Sequence, residues 1–263
     1  MRLLSSSSAN TKTRKSERPD YRIVSLALSH AATAPGFPSN CPKSTKSCEN
    51  SCVGGVGLAS VWKSISEARQ KKTAFLRQDR SGFLKQLYEE LAREQERADE
   101  EGATLCARLN CYSDLPWFMP SFGSIPDKFP RMVLWDYSKV KSYCFDAPRN
   151  YIFTFSRTEL NEDDCIEVIE HGTNVAVVFG EPGAGFTGPR AYSQRIPRTY
   201  RFADGKQRLT YDADSTDLRF LDFKAGQGNQ ARYGRIAALR LKASNNDAHQ
   251  ASLASGFAVT VER

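Results

Sequence analysis

The sequence predicts a mixed α/β protein, a parallel-stranded partial (β/α)6 TIM-like barrel with a cysteine-rich loop after its first strand. Three observations predict it. Short apolar runs recur at 103–109, 132–135, 151–155 and 174–179, and the linkers between them, about 15 to 22 residues, suit crossovers between parallel strands. A run at 21–28 and another near 208–211 bring the expected strands to about six. Several runs end in short polar residues, and α/β sheets and barrels collect their ligand groups at the carboxyl ends of strands.

Residues 1–19 are rich in Ser, Thr, Lys and Arg and carry no apolar periodicity, so they read as a flexible basic arm ending at Pro19. Residues 20–263 then read as a single α/β domain, an ordinary size for one core. Its first strand, 21–28, alternates and is partly β-branched. The Ala-Pro-Gly-Phe-Pro stretch at 34–38 forces a turn into the cysteine loop, 35–57. From 61 to 100 the pattern is helical, with Phe75, Leu76, Phe83, Leu87 and Leu91 at helical spacing and Asp79 or Ser81 placed to cap a second segment. Repeating strand–helix units occupy 103–245. The stretch 257–261 has strand character, and its pairing is left open by the sequence.

No stretch approaches the roughly 18 apolar residues of a membrane helix, and the first residues lack the apolar block of a secretory signal. Seven cysteines, an odd number unevenly spaced, do not form a disulfide framework. A reducing cytoplasm is the expected location. The net charge of +7 favours polyanions, with basic clusters at 12–18, 69–80 and 232–242.

The candidate site follows from the strand ends. Arg108, Asn110, Ser113 and Asp114 follow the second run, Asp136 ends the third, Ser156 and Arg157 end the fourth, and Asp212 and Asp214 end the sixth. Asp114, Asp136, Arg157, Asp212 and Asp214 are the candidate catalytic groups. Arg108, Asn110, Ser113, Ser156 and Arg219 are the candidate ligand-binding groups. Short Asp, Asn and Ser together with Arg suit hydrogen bonding to a small molecule.

Cys41, Cys48 and Cys52 are the candidate metal ligands, spaced Cys-x6-Cys-x3-Cys and followed by a flexible Gly-rich stretch. Three thiolates leave a closed site one ligand short. Either Cys106, Cys111 or His30 supplies the fourth, or one coordinate stays open. An open coordinate favours an iron–sulfur cluster, with zinc as the alternative.

Lys71, Lys72, Arg77 and Arg80 form a candidate nucleic-acid contact, with Trp117, Phe118, Trp135 and Tyr137 able to stack on bases, although Trp135 fits a core position better. The Gly-rich stretch 180–188 lacks the Gly-Lys-Ser/Thr ending of a phosphate loop and reads as a mobile loop. His30, His171 and His249 stand apart, so no hydrolytic triad is indicated, and His171 before Gly172 reads as a helix end.

Between 41 and 242 the residues resemble the phage and plasmid "gene product 88" family of uncharacterised proteins. The resemblance rests on the cysteine loop, Ala68-Arg69-Gln70-Lys71-Lys72-Thr73, Asp79-Arg80, Arg108-Leu109-Asn110 with Ser113-Asp114, Asp136-Tyr137-Ser138-Lys139-Val140, Thr154-Phe155-Ser156-Arg157, and Asp217-Leu218-Arg219-Phe220-Leu221-Asp222. It implies a mobile genetic element and carries no activity. Members read Gly-Thr where this chain has Cys111-Tyr112, which argues against Cys111 as an essential ligand. A looser resemblance is to radical S-adenosylmethionine proteins, which follow a first strand with a three-cysteine loop, spaced Cys-x3-Cys-x2-Cys, and continue as a partial six-stranded barrel.

Three functions are therefore expected to compete. The first is an iron–sulfur enzyme of radical type using S-adenosylmethionine. The second is a nucleic-acid-binding protein of a mobile element with a structural metal loop. The third is an inhibitor or adaptor that binds a host protein.

Overall fold

The computed structural model describes residues 1–6, 18–30, 36–56, 62–184, 188–191, 193–223 and 233–261. A mostly parallel ten-stranded sheet dominates it. In chain order the strands are β1 (Leu4–Ser6), β2 (Tyr21–Leu26), β3 (Thr104–Arg108), β4 (Val133–Ser138), β5 (Tyr151–Ser156), β6 (Val175–Gly180), β7 (Thr199–Arg201), β8 (Gln207–Asp212), β9 (Ile236–Arg240) and β10 (Val259–Thr260). The order across the sheet is β1-β2-β3-β4-β5-β6-β9-β8-β7, with β10 on the side of β6. Strands β2 to β6, β9 and β8 run parallel, while β1 and β7 are antiparallel at the two edges.

The expected parallel α/β texture is present, but two features depart from a six-unit barrel. The sheet is open, because β1 and β7 end it instead of meeting. The strands also leave sequence order after β6: β9 enters between β6 and β8, so the last units are not a simple continuation of the winding.

Helix α1 (Lys46–Asn50) lies within the cysteine loop, α2 (Lys63–Gln78) and α3 (Arg80–Glu100) form a hairpin, and α4 (Lys141–Asp146), α5 (Glu162–Glu170) and α6 (Asn246–Ala254) follow. The hairpin forms where the apolar spacing predicts it, with Leu76, Phe83, Leu87 and Leu91 buried against β2 and β3. Asp79 ends α2 and caps α3, its Oδ1 accepting from the Gly82 amide at 2.8 Å. That cap requires glycine at 82, since a Cβ there would collide with the Asp79 carboxylate. Helix α4 packs on β4 and β5, and α5 on β5 and β6. Elsewhere on the sheet, Ile23, Cys106 and Trp135 bury under Leu218 and under Phe220 of the 3-10 segment Arg219–Phe223 that follows it. Trp135 thus occupies the core position its sequence context suggests.

Residues 1–6 depart from the reading of 1–19 as a flexible arm, and residues 7–17 lie outside the described residues. Leu3 and Leu4 are 0% and 2% exposed, and β1 pairs with the end of β2 through Leu4↔Leu26. Two leucines ahead of the serines supply enough buried area to hold a three-residue strand. Lys12, Arg14 and Lys15 lie outside the described residues.

Strands β5 and β6 pair only at Phe155↔Val175 and Ser156↔Ala176. There β5 ends while β6 runs on to Gly180, and β10 pairs with this extended end of β6 through Val259↔Phe179 and Thr260↔Gly180. The stretch 257–261 therefore does return to the sheet. Among the described residues no helix is long and apolar enough to cross a membrane.

Candidate functional site

The parallel strands carry their carboxyl ends to one rim, and a cavity of about 340 Å³ opens there. Each unit contributes. The loop after β2 supplies Cys41, Cys48 and Cys52; the loop after β3 supplies Asn110 to Asp114 beside Arg108 at the strand end. Strand β4 and its end supply Tyr137 and Lys139, β5 supplies Ser156 and Arg157, and β6 supplies Ala176 and Val178. Strand β9 and its end supply Leu239, Arg240 and Lys242, and Phe257 precedes β10.

Nine of the thirteen expected site residues line this cavity: Cys41, Cys48, Cys52, Arg108, Asn110, Ser113, Asp114, Ser156 and Arg157. The other four stand behind the lining. Asp136, 0% exposed, accepts from the Asn110 amide at 2.9 Å and from the Tyr151 hydroxyl at 2.6 Å. Asp212 and Asp214 face Arg240 and Lys242, at 2.9 and 2.5 Å. Arg219 is wholly buried on the 3-10 segment, 3.3 Å from Asp222, so it is a core ion pair instead of a ligand contact. A seven-residue spacing from the β8 end could not reveal that this segment packs on Ile23, Cys106 and Trp135.

Local sequence builds the cysteine loop. The Thr45 side chain caps α1 by accepting from the Cys48 amide at 3.1 Å, which fixes Cys48 in the first turn. The Asn40 carbonyl accepts from the Asp114 amide at 2.7 Å, tying this loop to the one after β3. Asn40 itself is buried, donating to the Ser29 carbonyl at 3.0 Å and accepting from Arg77 at 2.6 Å. Arg69 lies over the Tyr112 ring at 4.1 Å and donates to the Gly54 carbonyl at 2.6 Å. Ser51 and Ser252 hydroxyls meet at 2.6 Å, so α6 is fastened to the loop.

Burial governs the electrostatics. It pushes the Cys41 thiol up to about 12 and raises Cys52, against the pull of Lys139 and Arg69. Lys139 reaches Cys48 by hydrogen bond; burial works to lower its pKa, but Cys48 and Asp114 carry it above the usual lysine range. Asp114, raised by burial, accepts from the Ser138 hydroxyl at 2.7 Å and the Lys139 amide at 2.8 Å. Burial lifts Asp136 to about 7, opposed chiefly by Arg108.

Asn110 is the structural hub of the rim. Its Oδ1 accepts from Ser113 Oγ, the Leu115 amide and Trp117 Nε1 at 2.8 to 3.0 Å, and its Nδ2 donates to the Leu115 carbonyl at 2.9 Å. Trp117 is consequently buried and spoken for, and Phe118, half-buried, packs against Tyr143, Tyr151 and Phe153.

All seven cysteines carry free thiols. No three His, Cys, Asp or Glu side chains among the described residues already stand at metal-holding positions. Of the proposed fourth ligands, Cys111 lines the cavity, Cys106 is buried below it under the 3-10 segment, and His30 packs beside Gly54.

The candidate nucleic-acid set is mostly taken up by the fold. Lys72, 8% exposed, donates to the Leu3 carbonyl at 2.6 Å. Arg77 holds Asn40, and Arg80 lies over the Phe122 ring at 4.8 Å while donating to the Ser121 carbonyl. Lys71 faces solvent. Sequence reasoning missed Arg240 and Lys242 as cavity residues because Ile236–Arg240, rich in Ala and Leu, does not advertise a strand. Their alternation around the strand end was the available signal.

Compared with known proteins, the chain matches the family described as "Gene product 88" over residues 2–251. No curated protein and no solved structure matches it.

Proposed function

The chain belongs to the gene product 88 family, and from that premise we propose that it is an iron–sulfur enzyme of radical type in which Cys41, Cys48 and Cys52 hold the cluster at the mouth of the cavity. The observation that carries this reading is the presence of all three thiols in the lining of one cavity that the strand ends also line. Three soft donors fit an iron–sulfur cluster with one iron left to a small ligand. The volume, about 340 Å³, is in the range of pockets that enclose a metabolite or cofactor fragment.

The cluster, with S-adenosylmethionine as the co-substrate, would supply electron transfer and radical initiation; the chain's own residues position and shield. Arg69, clamped on Gly54 and Tyr112, keeps the loop closed over the β3 end. Lys139 sets a positive charge beside the thiols, which favours their anionic forms. Asn110 and Asp114 act here as positioning residues, since their hydrogen bonds go to the protein.

Protein purified without oxygen is expected to be brown, with iron and broad absorbance near about 400 nm, where thiolate-to-iron charge transfer falls. Cys48→Ser should lose both. Colourless protein holding stoichiometric zinc would sink the reading and leave a structural metal loop in its place.

A further inference from the structure

We propose that Arg157, Arg240 and Lys242 form an anion-binding subsite on the wall of the cavity away from β2, recognising the phosphate or carboxylate of a small organic substrate. The proposal deepens the enzyme reading and rests on it for the word substrate; the binding itself requires no metal.

Three observations converge on these side chains. All three line the cavity, and their side chains are only 10%, 14% and 16% exposed. Between the ends of β5 and β9 the neighbouring strand β6 offers only the small apolar side chains of Ala176 and Val178 to the cavity, so the charge on this wall comes from the cations. Ser156 adds a hydroxyl at the same edge.

The carboxylates that pair with two of these cations stand outside the lining. Asp212 meets Arg240 Nη1 through both oxygens at 2.9 Å, and Asp214 meets Lys242 at 2.5 Å, so the acids orient the cations from the β8 side. Asp114 is the acid that does reach the cavity, and it is engaged by Ser138 and Lys139.

Arg157 has its nearest carboxylate farther away than the other two cations do. Its Nη1 donates to the Gly256 and Phe257 carbonyls at 2.8 and 3.3 Å, and its Nη2 stands 4.0 Å from Glu162. Tyr200 is a further hydrogen-bond partner. With its carboxylate no nearer than 4.0 Å, the guanidinium keeps positive charge that an anionic oxygen in the cavity can meet. The cavity volume confines the ligand to a small molecule and excludes a polymer.

The test is calorimetric titration of the metal-free full-length protein at low ionic strength, with inorganic phosphate in one arm and succinate in the other. Saturable binding of at least one anion, one per chain, is expected, and the preferred arm tells phosphate from carboxylate. Arg157→Gln and Lys242→Gln should each weaken it about tenfold or more, the loss expected of one charge-assisted hydrogen bond. Because Arg157 also tethers residues 256 and 257, thermal melting is run on both variants, and Lys242→Gln decides if Arg157→Gln unfolds. No binding in either arm, or binding that a folded Lys242→Gln variant leaves unchanged, overturns the subsite. Iron content is measured separately on wild-type protein purified without oxygen, so absence of iron and absence of anion binding are distinguishable failures.

Discussion

Asp136 shows how one residue can be correctly singled out and differently employed. Its place at a strand end in the sequence suggests a catalytic carboxylate, yet it lies one layer below the cavity, joining Asn110, Tyr151 and Arg108. Burial raises its pKa to about 7 in the folded state, well above the roughly 3.9 of an unfolded aspartate. The sign follows from linkage. The folded form binds the proton more tightly, so this group's contribution is fully present below about pH 4 and is lost as the pH rises through about 7. Wild type should therefore gain stability relative to Asp136→Asn as the pH falls from about 8 to about 4, read from urea melts at a series of pH values. A constant difference across that range would contradict the protonated state. Residue types at strand ends were legible as polar and clustered; which of them face the cavity depends on a quarter-turn of the chain after each strand, and no sequence pattern states that. Six of the lining residues were found because they end or closely follow strands and the three cysteines because of their spacing, whereas Arg219 was misplaced because its segment packs on the core.

At the level of elements, the strongest periodic signals gave the most faithful outcome. Helices α2 and α3, their cap at Asp79 and the parallel strands β2 to β6 all stand within a few residues of their expected places. Weak or mixed signals gave the departures. Strand β1 is three residues long and sits beside a serine run, and β9 is built largely of residues that favour helices. The first of these has a specific anchor: the Glu90 carboxylate accepts from the Leu3 and Leu4 amides at 2.8 to 3.1 Å, inside the core. Glu90→Ala would strand two buried donors and the Lys72 ammonium. A loss of about 2–4 kcal/mol in urea unfolding is expected, with amide exchange of residues 3 and 4 accelerated. Retention of full stability would show that the leucine side chains alone hold β1.

Across the whole molecule, the cavity depends on segments far apart in the chain. Strand β5 stops short of the end of β6, β10 pairs with the part of β6 that runs on, and α6 contacts α1 of the cysteine loop. The carboxyl ends of parallel strands are where α/β sheets take ligands, and here the closing segment also presents Phe257 to the cavity and carbonyls to Arg157. Val259→Asp, which puts a charge into the cluster around Phe179 and Val177, should undock β10. Alkylation of Cys41 and Cys52 by iodoacetamide should then accelerate about tenfold or more, as local opening becomes easier, and unchanged alkylation would show that α6 closes the loop without β10. The same connection sets a timetable. Ser51 and Ser252, which touch in the finished fold, are 201 residues apart; at roughly 5–20 residues per second of synthesis, the cysteine loop leaves the ribosome about 10–40 s before the helix that covers it. Any metal, thiol reagent or oxidant that arrives during this interval meets an open loop, and the arrival of α6 brings the interval to an end.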